Sequence, residues 1–286
     1  MQPLASDELI FSEFGKSRAE LIELVSRHTM AVQGWLSSRS PHAAKFEGKG
    51  IKASSTGFNI PLLNLALGCN FPEDVTKKEI DEEIEQVKAF FANRNVPWYW
   101  WMNANPSPKN IRSILLEEHG LKHDEPPLPA MIASLKVDAS TLPAYSENIR
   151  VWQAQSVEDL RAASKIRRLA FQFPEGQAVS YFEDMASDWL HASDVKLMLA
   201  GENEASPVSI GAVIEAAGIP GVYVMATLPD QHRKGYGKAV LTKLLYEAAS
   251  KGHKTIALTA SNAGFGLYSQ FGFRHLFGFD FYTHPQ

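Results

Sequence analysis

The chain has 286 residues, 45% hydrophobic and 21% charged, which suits a folded soluble protein of two domains at about 100–200 residues each. A formal net charge of −4 argues against a nucleic-acid partner, and a single cysteine, Cys69, excludes an internal disulfide and a cysteine-based metal site. No apolar run reaches membrane-spanning length, and the opening MQPLASDELIFSEF lacks a basic stretch followed by an apolar core, so a cytoplasmic protein without membrane contact is expected.

Residues Ser6 to Ser40 read as helical, with Leu21, Ile22 and Val25 at helical spacing. From Phe46 to Phe71 that period disappears, and glycines with the run IPLLNLAL predict short strands. EIDEEIEQVKAFFANRN returns to a helix, with Ile80, Ile84 and Val87 on one face and acids crowding its first half. PWYWWMN is predicted as an aromatic strand packed between two layers, SPKNIRSILLEEHG as a helix opened by Pro and closed by Gly, and PAMIASLKV as a strand. The aperiodic DASTLPAYSEN reads as a linker, which divides the chain into residues 1–138, a linker 139–147 and residues 148–286.

The second half starts with a strand, IRVWQAQ, and a helix, SVEDLRAASKIRRLAF, capped by Ser156 with Asp159 three residues on. A helix from about Val179 to His191 and three strands, VKLMLAGEN, SPVSIGAVIEAAG and GVYVMATL, follow. The long helix after Gly237, the strand TIALTA, a short helix near Gly266 to Gln270 and the strand FGFDFYT complete it. This order predicts an α+β (mixed α/β) fold, a mixed and mostly antiparallel sheet with helices on both faces.

DQHRKGYGKAVLTKLL sets His232, Arg233 and Lys234 before Gly235 and Gly237 at the mouth of a helix. Helix N-termini carry unpaired N–H groups and partial positive charge, glycine lets a ligand approach the backbone, and cations add direct charge. The physical reading is a phosphate site, with a capping glycine turn beside solvated charges as the other reading. A Rossmann fingerprint fails at Val240, and no Walker A pattern occurs.

With TLPDQHRKGYGKAV and SNAGFGLYSQFGFRHL together, residues from about 148 to 286 resemble the GNAT family, the Gcn5-related N-acetyltransferases. Gly235 and Gly237 match the family's (Gln/Arg)-x-x-Gly-x-(Gly/Ala) pattern, while His232 departs from its first position. Asn262, Tyr268, Gly272 and Phe273 match its Asn-x5-Tyr-x3-Gly-Phe element. The resemblance implies that the loop of His232, Arg233, Lys234, Gly235, Tyr236, Gly237 and Lys238 holds the pyrophosphate of acetyl-CoA. It also implies that Met225, Ala226 and Thr227 pair with the pantetheine arm, that Asn262 contacts that arm, and that Tyr268 protonates the leaving thiolate. The implied activity is acetyl transfer from acetyl-CoA to a primary amine of a small molecule or peptide, with a non-catalytic acyl-CoA-binding module as the alternative. Glu215 is the acidic candidate for the base, or else a solvated residue at a strand end. Glu183, Asp184 and His191 fall where the family borders its acceptor. His28, His42 and His123 have no metal-ligand spacing, so no metal is expected.

KNIRSILLEEHGL aligns with SNAGFGLYSQFGF at one constant offset, pairing Asn110 with Asn262, Leu116 with Tyr268 and Gly120 with Gly272. The hydroxyl is missing from the first copy, and FPEDVTKK stands where a Gly-x-Gly loop would be needed. Residues 1–138 are therefore expected to form a degenerate GNAT-like domain that binds no cofactor, with PAMIASL as a strand covering the sheet edge of the second domain.

Overall fold

The computed structural model describes residues 3–135, 143–174 and 180–284. In chain order it forms α1 (Asp7–Phe14), α2 (Arg18–Ser37), β1 (Ala44–Glu47), β2 (Lys52–Ser55), β3 (Asn64–Leu67), α3 (Lys77–Ala92), β4 (Tyr99–Trp101), α4 (Ile111–Ser113) and β5 (Lys122–Ser134). It continues with β6 (Arg150–Gln153), α5 (Val157–Ala170), α6 (Ala186–His191), β7 (Val195–Gly201), β8 (Pro207–Ala216), β9 (Ile219–Thr227), α7 (Tyr236–Ser250), β10 (Thr255–Thr259), α8 (Asn262–Gln270) and β11 (Arg274–Thr283).

Local chemistry accounts for most boundaries. Gly15, at φ 64°, ends α1 in the left-handed region and splits the predicted first helix in two. Ser156 and Asp159 form the reciprocal cap of α5. The helix predicted from about Val179 is shorter than expected, a single tight turn at Glu183–Met185 leading into α6, and Val179 itself lies outside the described residues. Of the predicted linker, residues 139–142 also lie outside them.

The chain divides into two compact units, one of Ala19–Pro129 with Phe277–Gln286, the other of Gln2–Arg18 with Ala130–Leu276. This division departs from a cut at the linker, because each unit takes in a strand from the other half of the sequence. In the second unit the strand order is β5-β10-β9-β8-β7-β6, antiparallel throughout except between β9 and β10. Ala130–Ser134 of β5 pairs residue by residue with Thr259–Thr255 of β10, so PAMIASL does cover that edge. Helix α7 crosses between the two parallel strands, burying Ala239, Val240, Leu244 and Leu245 against Met198, Val213 and Val222. The N-terminal segment also belongs here, with Ala5 N–H donating to the His275 carbonyl at 3.1 Å and Arg274 paired with Glu13 at 2.8 Å.

The first unit repeats the pattern. Its order is β1-β2-β3-β4-β11, and only β3 and β4 run parallel, with α3 as the crossover. The aromatic strand is core: Trp98 and Trp100 are buried with Phe91, Ile84 and Tyr282, and the Trp100 indole N–H donates to the Gly68 carbonyl at 2.9 Å.

Candidate active site

The parallel strands β9 and β10 are in register only where Gly221 and Val222 face Ala257 and Leu258. Beyond that point β9 turns away. Val224 takes φ 49°, a left-handed conformation that a β-branched residue adopts only under strain, and the register with β8 shifts between Ile210 and Ala212. Gly211 lies at that shift, where a Cβ would stand 2.3 Å from Met225 Sδ and 2.7 Å from Val240 Cγ1. The bulge and the missing side chain let Met225 tuck in while the strands part. A cleft of about 760 Å³ opens there, walled by the end of β9, the mouth of α7, one face of α8 and the end of α5.

The mouth of α7 is bare. Gly235 occupies the N-cap at φ 94° and supplies no side-chain cap, whereas Ser6, Thr76, Ser156 and Ser261 cap α1, α3, α5 and α8. The N–H groups of Tyr236, Gly237 and Lys238 precede the first helical donor, Ala239, which bonds to the Gly235 carbonyl at 2.9 Å, and all three residues line the cleft. A Cβ on Gly237 would meet Thr227 Oγ1 at 3.5 Å and Leu267 Cδ2 at 4.0 Å, ordinary contact distances, so a side chain here would stand between the end of β9 and α8. His232 and Lys234 are already engaged: His232 Nε2–H donates to the Thr227 carbonyl at 2.9 Å, and Lys234 Nζ donates to Gln231 Oε1 at 3.0 Å. Arg233 and Lys238 line the cleft without a partner among the described residues. Uncapped N–H groups and unpaired cations on one wall fit a phosphate-bearing ligand.

Tyr268 stands on the α8 wall, 8% exposed, its ring edge-on to Phe273 at 5.9 Å. Its ring lies against the previous helical turn, where a Cβ on Gly264 would come within 2.8 Å of Tyr268 Cε2. Burial pushes the phenol up to about 12, so it is fully protonated at neutral pH.

Of the sequence-predicted residues, Met225, Ala226, Thr227, His232, Arg233, Gly235, Tyr236, Gly237, Lys238 and Tyr268 come together around this cleft. Lys234 and Asn262 do not line it. Asn262 is exposed in the first turn of α8, and its neighbours Ser261 and Ala263 line the wall instead. Glu215 is not at the cleft either. It lies at the end of β8 with its carboxylate bound by Lys251 and by His253 at 2.9 Å. Burial raises this carboxyl, but the bonds from Lys251 and His253 outweigh it and hold the group below its ordinary range, which is wrong for a base. Glu183 pairs with Arg161 at 3.0 Å, and Asp184 accepts from Ser180 at 2.8 Å. Sequence reasoning missed Phe171, Gln231 and Gly211. Phe171 ends an apolar helical run and reads as core, yet it is 43% exposed at the cleft.

In the first unit the corresponding opening is closed. Past β3 and β4, Gly68 N–H donates to the Trp101 carbonyl at 2.8 Å, and Asn103 bridges the strands by accepting from Cys69 N–H at 2.8 Å and donating to Asn70 Oδ1 at 2.9 Å. The mouth of α3 is filled by the Thr76–Glu79 capping box. One turn on, buried Glu83 accepts from the N–H groups of Lys49, Gly50 and Ile51 at 2.7, 2.9 and 2.7 Å. Leu116, the counterpart of Tyr268, is 40% exposed, because the helix widens after α4 to an i to i+5 bond from His119 N–H to the Ile114 carbonyl and rotates that position outward.

Residues 170–283 match the family model described as an acetyltransferase (GNAT) domain. A comparison with curated proteins finds no significant relative. Among solved structures, a GCN5-related N-acetyltransferase from Kribbella flavida is similar over 93% of this chain and 95% of its own, at 18% identity and a TM-score of 0.66. A tandem GNAT protein from the clavulanic acid biosynthesis pathway is similar over 94% and 95%, at 11% identity and a TM-score of 0.60. A GCN5-related N-acetyltransferase from Sphaerobacter thermophilus is similar over 83% and 81%, at 13% identity and a TM-score of 0.57. At these identities the likeness is one of fold. Residues 170–283 thus match an acetyltransferase (GNAT) domain, and the chain as a whole has the fold of tandem GNAT proteins.

Proposed function

We propose that the second unit is an N-acetyltransferase that moves an acetyl group from acetyl-CoA to a primary amine of a small molecule or peptide. The observation that carries this reading is the meeting, on the walls of one cleft, of the uncapped mouth of α7 and the protonated Tyr268. The N–H groups of Tyr236, Gly237 and Lys238 would hold the pyrophosphate, and the edge of β9 at Met225–Thr227, free of β10, would pair with the pantetheine amides. In the transfer the amine nitrogen bonds to the thioester carbonyl carbon, the carbon–sulfur bond breaks, and its electron pair leaves on sulfur. N–H groups of the Val224–Thr227 stretch are offered to the carbonyl oxygen as it gains charge.

Tyr268 acts here as a hydrogen-bond donor to the departing sulfur. With the phenol near 12, complete transfer of its proton to a thiolate of ordinary basicity, about 8.5, runs uphill by about 5 kcal/mol. The thiolate therefore leaves stabilised by the Tyr268 O–H and takes its proton from water, which also receives the proton of the amine. The first unit, with its opening closed by Asn103, Glu79 and Glu83, is assigned no acetyl-CoA in this reading. The reading includes a cytoplasmic setting and requires no nucleic acid, membrane or metal.

The test is free-thiol release from acetyl-CoA across a panel of primary amines. Amine-dependent release supports the reading. Binding of CoA with no release for any amine favours the non-catalytic module instead.

A further inference from the structure

The first unit carries a groove of about 600 Å³ between α2 and the hairpin of β1 and β2. Strand register explains what lines it. Lys45 stands opposite Ser54 and Glu47 opposite Lys52, so these four residues share one face of the hairpin, while Phe46 and Ala53 pack on the other with the aromatic core. Ser54 shares a hydrogen bond with Ser37 of α2, so the shared face is the one that α2 covers. The helix is held close there, since a Cβ on Gly34 would stand only 3.3 Å from Leu67 Cδ1 of β3. Ser54 is buried under this cover, whereas Lys45, Glu47 and Lys52 are exposed along the groove. Met30, Gly34 and Leu67 give the groove an apolar lining, and the Arg39 guanidinium lies 5.8 Å from the centre of the Trp35 ring at its side.

The charge is one-sided. Arg39, Lys45, Lys49 and Lys52 line the groove against a single carboxylate, Glu47, in a chain of net charge −4. Lys49 is paired with Glu79 at 2.6 Å, but the Lys45 and Lys52 ammonium groups have no partner among the described residues. They are diagonal neighbours across the ladder, a spacing of about 7–8 Å that two long side chains can close on one anion. The turn between the strands offers a phosphate nothing, because the N–H groups of Lys49, Gly50 and Ile51 already donate to Glu83 at 2.7, 2.9 and 2.7 Å. Two lysine point charges beside an apolar bed suit one carboxylate on an apolar body instead. We propose that the first unit binds a small amphiphilic carboxylate in this groove, its acyl or aryl body against Met30, Gly34 and Leu67 and its carboxylate paired with Lys45 and Lys52. This site is independent of the acyl-CoA reading of the second unit and takes a different class of ligand.

The experiment is calorimetric titration of the full chain with octanoate, 3-phenylpropanoate, octanamide and inorganic phosphate. It compares the wild type with the double variant Lys45→Gln/Lys52→Gln and with Ala31→Trp, an exposed position on the groove where the indole fills the bed. Each protein is also melted and titrated with CoA. The wild type should bind a carboxylate once per chain, and the tighter of the two shows whether an acyl or an aryl body is preferred. Octanamide, the same body without the charge, should bind about tenfold or more weaker, and phosphate should not bind detectably. The double variant should lose about tenfold in carboxylate affinity and Ala31→Trp should lose binding altogether, both with wild-type melting points and wild-type affinity for CoA. A wild type that binds neither carboxylate overturns the proposal. Equal affinity for octanamide overturns it by making the groove an apolar patch, and phosphate binding that disappears in the double variant overturns it by making the groove a plain anion site. Undiminished affinity in the double variant does so too, leaving the lysines as guards of the edge strand β1. If Ala31→Trp melts lower, the double variant decides alone, because its changes are confined to exposed side chains. CoA binding that fails in the wild type refutes the reading of the second unit and leaves this proposal to its own arms.

Discussion

Burial pushes the Tyr268 phenol up to about 12, so the group stays in its donating form from acid through moderately alkaline pH. The turnover number should therefore show no decline assignable to this residue as pH rises from about 6 to about 10, a span below its shifted value. Tyr268→Phe keeps the ring and removes the hydroxyl. If the hydroxyl donates to the departing sulfur as proposed, the fall in kcat should lie near about 10²-fold, the lower end for a positioned acid, with KM little changed. Single-turnover thiol release checks it, and an unchanged rate there makes Tyr268 a packing residue. Glu215 titrates in the opposite sense. Its folded-state value is lowered, so the stability from its pairs with Lys251 and His253 is present above the ordinary carboxyl range and lost as pH falls below it. Glu215→Gln should leave turnover at its wild-type level. Melting curves of the variant and the wild type should differ near neutral pH and converge in acid. A large loss of turnover in Glu215→Gln would restore it as a catalytic base.

At the scale of the elements, the α7 mouth was legible because its needs are local. Gly235 stands at φ 94° and Gly237 follows it in the first turn, so the glycines that keep the mouth free of side chains are close together in the chain. Gly211 was not legible, since its lost side chain makes room for Met225 and for Val240 of α7, partners distant in sequence. Gly211→Val should cost roughly 1–3 kcal/mol by overpacking and should weaken CoA binding, because Met225 lines the cleft. Denaturant melts and calorimetry read the two effects separately, and a variant with wild-type values for both would remove Gly211 from the account of the bulge. Asn262, placed by the family's Asn-x5-Tyr element, stands between Ser261 and Ala263, which line the cleft. That element fixes spacing along the chain but not where the helix begins, which the cap hydrogen bond from Gly264 N–H to Ser261 Oγ at 3.2 Å sets here. The three cations were equally visible as letters, but which of them are tied depends on Thr227 and Gln231, contacts no spacing rule shows.

For the molecule as a whole, the repeat was legible in the order of elements, and the division of the chain was not. The linker marks where the composition changes, yet β5 pairs with β10 and the end of β11 pairs with β4. Strand pairing follows edges that need covering, and PAMIASL was readable as such a cover only because the second half lacked a strand of its own for that edge. A fragment of residues 148–286 contains both family motifs but lacks Ala130–Ser134, so the β10 edge is left bare. It should aggregate or show no cooperative melt, and a soluble, cooperatively folding fragment would contradict the pairing. The central claim is that one cleft, in the second unit, takes the acyl carrier at the mouth of α7. The most direct measurement is calorimetric titration of the full chain with CoA, comparing the wild type with Gly237→Glu and with Lys78→Glu at the closed counterpart on α3. The account predicts one site per chain in the wild type, no detectable binding in Gly237→Glu because a carboxylate occupies the place of the pyrophosphate, and near wild-type affinity in Lys78→Glu. Equal affinity in Gly237→Glu, or binding lost through Lys78→Glu instead, would contradict it.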